Sequence, residues 1–315
     1  MNLYFDTQIV WLFAGVVALL GLAAVVSTIL ARRPGGPEHA ALVENLRARL
    51  RSWWIMVAII FLTIVAGEIF TVILFAIVSF LALREFITMT PTHRGDHRAL
   101  FWTFFIITPL HYWYVGTHWF GMFAIFIPVY AFLFIPLRSA LAGESERYLE
   151  RTAKIQWGLM VCVYCLSHVP ALLMLPIEGY EGENAKLLLF LVLVVQLSDV
   201  LQYVFGKTLG RRPIAPRISP NKTWEGFIGG VLTASLLGAC LWKITPYTPW
   251  QTFGLALLIA LMGFAGGLVM SAIKRDRGIK DYGVLLPGHG GMMDRIDSLC
   301  FAAPIFFHIT RYYFT

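Results

Sequence analysis

Between Ser271 and Asp297 the chain reads SAIKRDRGIKDYGVLLPGHGGMMDRID, placing four acids, six basic residues counting His289, and five glycines in one stretch of an otherwise apolar sequence. These residue types meet the demands of a polyphosphate: cations to offset its charge, glycines for close approach of backbone amides, and carboxylates for a divalent metal. Lys274, Arg275, Lys280 and Arg295 supply the cations, Gly290 and Gly291 follow His289, and Asp281, Asp294 and Asp297 supply the carboxylates. A second cluster, SDVLQYVFGKTLGRRPIAPRISPNKTWEG, runs from Ser198 to Gly226. Lys207, Lys222 and three arginines beside Gly206 and Gly210 make a phosphate trap. Ser219 and Thr223 place hydroxyls beside Lys222 just before an expected helix. The G-x-x-x-x-G-K-[ST] spacing of a Walker A loop is absent. For charge alone, a basic loop that only orients a membrane protein explains this cluster equally well.

The elements that hold these loops are membrane spans. The 315 residues are 58% hydrophobic and 14% charged, which places the chain outside the soluble range and makes it an all-α, polytopic transmembrane bundle. Apolar runs fall at 9–30, 53–67, 69–84, 99–115, 118–137, 156–175, 187–205, 224–242, 251–272 and 298–313, nine or ten spans in all. Only Gly67-Glu68 interrupts the second and third runs, so two short spans meet there in a tight turn or one is partly re-entrant. With the N-terminus outside, the connections 31–52, 84–98, 138–155, 206–223 and 273–297 face the cytoplasm and carry 22 of the 25 Lys and Arg residues. The net charge of +7 is then a matter of topology and anionic headgroups, and nucleic acid is not needed as a partner.

The first run lacks a basic leader and is followed by Arg32-Arg33, so it is expected to be a retained span and not a cleaved signal. Residues 31–52 suggest a short amphipathic helix on the cytoplasmic surface. The chain divides into an N-terminal span with this segment, 1–52, and a multispan body, 53–315. Cys162 and Cys165 lie in an apolar run and are expected to pack. His111, His118 and His168 have no metal-ligand spacing and are expected to hydrogen-bond within the bundle. Glu68 is assigned to a turn at a span end, and Glu85 to an interfacial ion pair with Arg84.

The form S-x-x-K-R-x4-K-D, then H-G-G and D-R-x-D, is complete in the C-terminal stretch. Together with Asp199, Tyr203-x-x-Gly206-Lys207 and Ser219-Pro-x-Lys-Thr-Trp-Glu-Gly226, it resembles the integral-membrane phosphatidate cytidylyltransferases, the CDP-diacylglycerol synthases. The resemblance covers roughly 196–298; the first half matches only as a multispan bundle. It implies attack by a phosphatidate oxygen on the α-phosphorus of CTP, giving CDP-diacylglycerol and pyrophosphate. It implies Mg²⁺ on Asp294, with Asp297 and Asp281 as direct or water-mediated partners, and a second cation, monovalent or divalent. Lys274, Arg275, Lys280 and Arg295 are expected to neutralise phosphate charge, with His289 on a phosphate or fixing the loop. Asp199, Lys207, Ser219, Lys222, Thr223, Ser271, Gly290 and Gly291 are expected around the substrates. Family members usually carry Gly-Asp-Leu-x-x-Ser before the Lys-Arg pair, and that Asp is implied as a cation ligand; this chain has Gly266-Gly267-Leu268-Val269-Met270-Ser271. Expected partners are CTP, phosphatidate or a related lipid phosphate, membrane lipids and a second copy of the chain. The location implied is the bacterial inner membrane. The alternatives are CTP-dependent activation of a different lipid phosphate, or a non-catalytic lipid-binding or transport protein.

Overall fold

The computed structural model describes residues 7–32, 36–90, 92–283 and 290–315. Among these, ten helical rods alternate in direction: α1 (Thr7–Arg32), α2 (Pro37–Ala66), α3 (Glu68–Thr88), α4 (96–116), α5 (Phe120–Ala140), α6 (Tyr148–Met174), α7 (Ala185–Leu209), α8 (Trp224–Ala239), α9 (Pro249–Asp276) and α10 (Met293–Phe314). Seven are long and apolar enough to cross a bilayer, namely α1, α3, α5, α6, α7, α9 and residues 43–66 of α2, and the protein is an integral membrane protein. Large apolar side chains such as Leu22, Leu62, Ile69 and Leu133 stay exposed on the outer surface, as a lipid-facing perimeter requires.

Each expected run coincides with a rod, but the ends differ. The amphipathic segment and the second run form one helix of 30 residues, so the division at 52/53 falls inside α2. Of the two arrangements open at Gly67, the tight turn is present. Gly67 alone joins α2 to α3 at φ +109°, a conformation that a residue with a β-carbon rarely adopts. In α4, α5 and α6 a π-helical turn interrupts the rod at Thr103–Ile107, Phe126–Ala131 and Met160–Cys165. Pro109 follows the first and Pro128 sits in the second; the wider turn accommodates the missing N–H and the bulk of the ring.

The buried core runs through α3, α6, α7 and α10, with Phe123, Phe190, Phe306 and Phe307 fully enclosed. Each of its two histidines makes one hydrogen bond: His111 Nε2 lies 2.8 Å from Ser167 Oγ and His168 Nδ1 lies 2.8 Å from the Tyr164 carbonyl, while Cys162 packs on Met293. Glu68, the first residue of α3, shares a hydrogen bond with His118 Nε2. In the second half α7, α8, α9 and α10 pack in sequence order. A β-carbon on Gly226 would stand 2.8 Å from the Gln202 carbonyl and one on Gly230 2.5 Å from the Gln202 amide, so α7 and α8 touch backbone to backbone, a membrane packing that only small residues permit.

All five basic connections meet at one end of the bundle. Glu144 accepts from the Gly95 amide at 3.1 Å and Arg151 pairs with Asp96 at 3.2 Å, tying the third connection to the second. Arg275 donates to the Ile218 carbonyl at 3.1 Å, tying the fifth to the fourth. At the other end, Lys186 bonds Gln8 at 2.7 Å, Tyr247 bonds Thr310 at 2.7 Å, and Arg311 stacks over Phe120. The fourth connection departs from the all-helical expectation in one detail: Pro213–Ala215 (β1) and Ser219–Thr223 (β2) form a small antiparallel hairpin.

Candidate active site

The site is built where α9 ends and α10 begins. Lys274, in the last turn of α9, places its Nζ 2.8 Å from Asp294 Oδ1. The other oxygen of Asp294 accepts the Tyr282 and Gly291 amides at 2.8 and 3.0 Å. Asp294 is only 8% exposed, so its carboxylate closes the connection between the two helices. The next amides, of Met292 and Met293, would be orphans of a helix start. They donate instead to Oε1 and Oε2 of Glu85, each at 2.9 Å. Glu85 therefore reaches from α3 to hold the start of α10, and the expected ion pair with Arg84 is replaced by this cap. Space for it exists because two neighbours lack side chains. A β-carbon on Gly291 would fall 2.3 Å from Glu85 Oε2, and one on Gly283 2.9 Å from Oε1.

Beside this framework lies a polar cavity of about 460 Å³. The hairpin contributes Ser219, Asn221, Lys222 and Thr223; α9 contributes Gly267 and Ser271; α10 contributes Asp294, Arg295, Asp297 and Ser298. Thr223 also caps α8, accepting the Gly226 amide at 3.1 Å, which is how the hairpin runs directly into that helix. Opposite, Asp199 of α7 accepts from Ser298 Oγ at 3.2 Å, while Asp297 Oδ1 accepts the Ser298 amide at 2.7 Å. One serine thus holds two half-buried carboxylates in register. The Lys222 ammonium lies over the Phe264 ring, 4.7 Å from its centroid. Burial lowers the pKa of its ammonium, while Asp297 and Asp199 act in the opposite direction.

A second cavity, of about 260 Å³, opens beside the first and is lined by apolar side chains including Phe13, Val16, Ile60, Phe75, Leu189 and Leu299. The two cavities share Trp53, Gln196 and Arg295. Arg295 stands at this junction with its buried Nε unpaired among the described residues. A guanidinium that borders both a polar and an apolar cavity suits the phosphate of an amphiphile.

A match to the cytidylyltransferase family spans residues 47–313. The chain belongs to this family. The protein is therefore a nucleotidyltransferase, and its similarity to individual members differs in extent. It is 41% identical to the "uncharacterized protein YnbB" of Escherichia coli (strain K12) over 94% of this chain and 96% of that protein. It is 41% identical to a phosphatidate cytidylyltransferase of Mycobacterium leprae over 51% of each chain. With a phosphatidate cytidylyltransferase of Staphylococcus aureus (strain COL) it shares 37% identity over 49% of this chain and 60% of that one. The matched segment thus spans about half to three fifths of these two named enzymes.

The motif residues divide into three groups. Asp199, Ser219, Lys222, Thr223, Ser271, Asp294, Arg295 and Asp297 border the polar cavity. Lys274, Gly290 and Gly291 support it from behind: Lys274 pairs with Asp294, the Gly291 amide is occupied by Asp294, and a β-carbon on Gly290 would stand 2.7 Å from Asp294 Oδ2. Lys207, Arg275, Lys280 and Asp281 are exposed and do not line the cavity; Arg275 braces the hairpin through Ile218, and Lys207 lies along Tyr203. His289 lies outside the described residues.

Glu85, Arg49, Trp53, Gln196 and Asn221 join the site without belonging to the motif positions cited above. Arg49 and Trp53 are four apart on α2 and so share one face of it, a spacing that is visible in the sequence. Nothing local to Glu85 signals its cap.

Of the carboxylates, Asp294 already has an ammonium and two amides. Asp297 and Asp199 face the cavity and form no ion pair among the described residues. Two cavity-facing oxygen donors with a hydroxyl between them fit a hard cation such as Mg²⁺.

Proposed function

We propose that the protein transfers a cytidylyl group from CTP to phosphatidate, giving CDP-diacylglycerol and pyrophosphate. The observation that carries this reading is Arg295 at the junction of the polar and apolar cavities, lining both. A molecule that fills both cavities has a charged head and a long apolar tail, and its phosphate meets Arg295. Family membership and the names of the partial relatives support CTP as donor.

In this reading a non-bridging oxygen of the lipid phosphate forms the new bond to the α-phosphorus of CTP. The bond from that phosphorus to the β-phosphate bridging oxygen breaks, and pyrophosphate leaves. The nucleophile is already an anion, so no general base is needed. Arg295 and Lys222 offset phosphate charge, Ser219, Ser271 and Thr223 donate hydroxyl hydrogen bonds, and Lys274 keeps Asp294 in place. Asp297 and Asp199 would hold Mg²⁺, with Asp294 adjoining; the ion when bound neutralises charge on the transferring group. The remaining work is positioning.

Since CTP is a cytoplasmic nucleotide, the basic end of the bundle faces the cytoplasm and the N-terminus lies outside, in the inner membrane of a bacterium. The deciding experiment supplies purified protein in detergent with Mg²⁺, CTP and phosphatidate, and follows the lipid by mass spectrometry. A CDP-lipid with stoichiometric pyrophosphate is expected. A CDP-lipid formed only from another lipid phosphate would replace the acceptor, and none from any lipid phosphate would overturn the enzyme and leave a lipid-binding protein.

A further inference from the structure

Gly267 and Lys222 form a contact that neither motif explains. A β-carbon at position 267 would stand 2.8 Å from Lys222 Nζ, 3.6 Å from Ser298 Oγ and 3.9 Å from Asp297 Oδ2. The ammonium therefore occupies the ground that any side chain at 267 would take, and this ground borders the Asp199–Ser298–Asp297 group. Lys222 reaches it from the hairpin, with its ammonium over the Phe264 ring. We propose that Gly267 admits the Lys222 ammonium to the acid side of the cavity, where, without pairing directly with either acid, it offsets the charge of Asp199 and Asp297 beside the Mg²⁺ site, in place of a second, monovalent ion.

The chemistry is consistent. Two half-buried carboxylates held by one serine repel each other unless a positive charge stands near them. A tethered ammonium has the charge and roughly the radius of K⁺, and it loses no translational freedom on arrival. With glycine at 267, two carboxylates face one ammonium; an acid there would make three. Lys222 thus plays a positioning and charge-balancing part, and Gly267 is the residue that permits it.

The test measures ion dependence of thermal unfolding in detergent, with KCl against choline chloride at equal ionic strength and no nucleotide or lipid present. The wild type is expected to unfold at the same temperature in both salts. Lys222→Met should gain a saturable K⁺-dependent rise of about 2–4 °C, and Lys222→Arg, which keeps the charge, should show none. Gly267→Ala displaces only the far end of a flexible side chain and should gain a smaller rise in the same direction. If Lys222→Met fails to fold, Gly267→Ala decides the matter. A wild type stabilised by K⁺ as strongly as Lys222→Met, or variants at both positions indifferent to K⁺, would overturn the proposal. The inference rests on the proposed function only in treating this cavity as the active site. Its readout needs no turnover, so failure of the transfer assay and failure of the ion assay are separate results.

Discussion

Replacing Glu85 by glutamine removes the carboxylate that holds the first amides of α10. The wild-type side chain accepts from Met292 and Met293, each at 2.9 Å. A hydrogen bond to a charged group contributes about 1.5–3 kcal/mol net. Glutamine retains one oxygen for one amide and turns its NH₂ toward the other, so one charge-assisted bond becomes two facing donors. The expected loss is about 2–4 kcal/mol, confined to the start of α10 and the segment that Asp294 closes. At about 1.4 kcal/mol per tenfold, exchange of the Met292 and Met293 amides should accelerate about thirtyfold or more, if it proceeds by local opening. Hydrogen-exchange mass spectrometry on peptides covering 290–296 measures this directly. Turnover should fall about tenfold, since a fraction of molecules then lacks the assembled site, while exchange in α7 and α8 stays unchanged. Glu85→Ala should match it within a few-fold. Unaltered exchange at Met292 and Met293 in Glu85→Gln would refute the capping role, whatever the turnover.

Gly291→Ala should reproduce the Glu85→Gln exchange pattern, since its β-carbon would lie 2.3 Å from Glu85 Oε2; Gly254→Ala, with open space around it, is the neutral control in the same exchange measurement. Asp297→Asn should lower the rate of CDP-lipid formation about a hundredfold or more by removing a charge that faces the cavity, and near wild-type turnover would exclude a role for this carboxylate in the reaction. Arg295→Gln should raise the apparent KM for phosphatidate about tenfold or more with less effect on that for CTP, because Arg295 borders both cavities; an effect on CTP alone would move the lipid phosphate elsewhere. Gly267→Asp should place a carboxylate against the Lys222 ammonium and form an ion pair there, giving a higher thermal midpoint that falls back with added salt; a midpoint unchanged in both salts would show that the two side chains do not meet.

The parts of this protein that were legible in its sequence are those set by local composition. Ten apolar runs correspond to ten rods because partition into the bilayer depends on summed hydropathy over a window, with little regard for neighbours. The rods α4 and α8 follow the same rule, although 96–116 carries a π turn and α8 has only 16 residues. Polarity changes near residue 52, yet α2 runs on through it, because a helix can leave the membrane without ending. The two motif clusters were likewise visible as sequence, and the hairpin with the α9–α10 junction brings them to one cavity.

What the chain determined by itself is a helical membrane protein with its positive charge gathered at one end, and two connections there whose residue types suit a phosphate. The tertiary structure alone decided which members of those connections face the cavity. Within 273–297, Arg295 and Asp297 line it, Lys274 supports Asp294 from behind, and Arg275, Lys280 and Asp281 stay outside. It also brought Glu85 across 207 positions of chain to the Met292 amide, and set the Lys222 ammonium in the space left by Gly267. The reason is the range of the interactions. Hydropathy and charge bias act residue by residue, whereas the direction of a side chain at a helix end depends on the turn that precedes it and on contacts closed from distant helices.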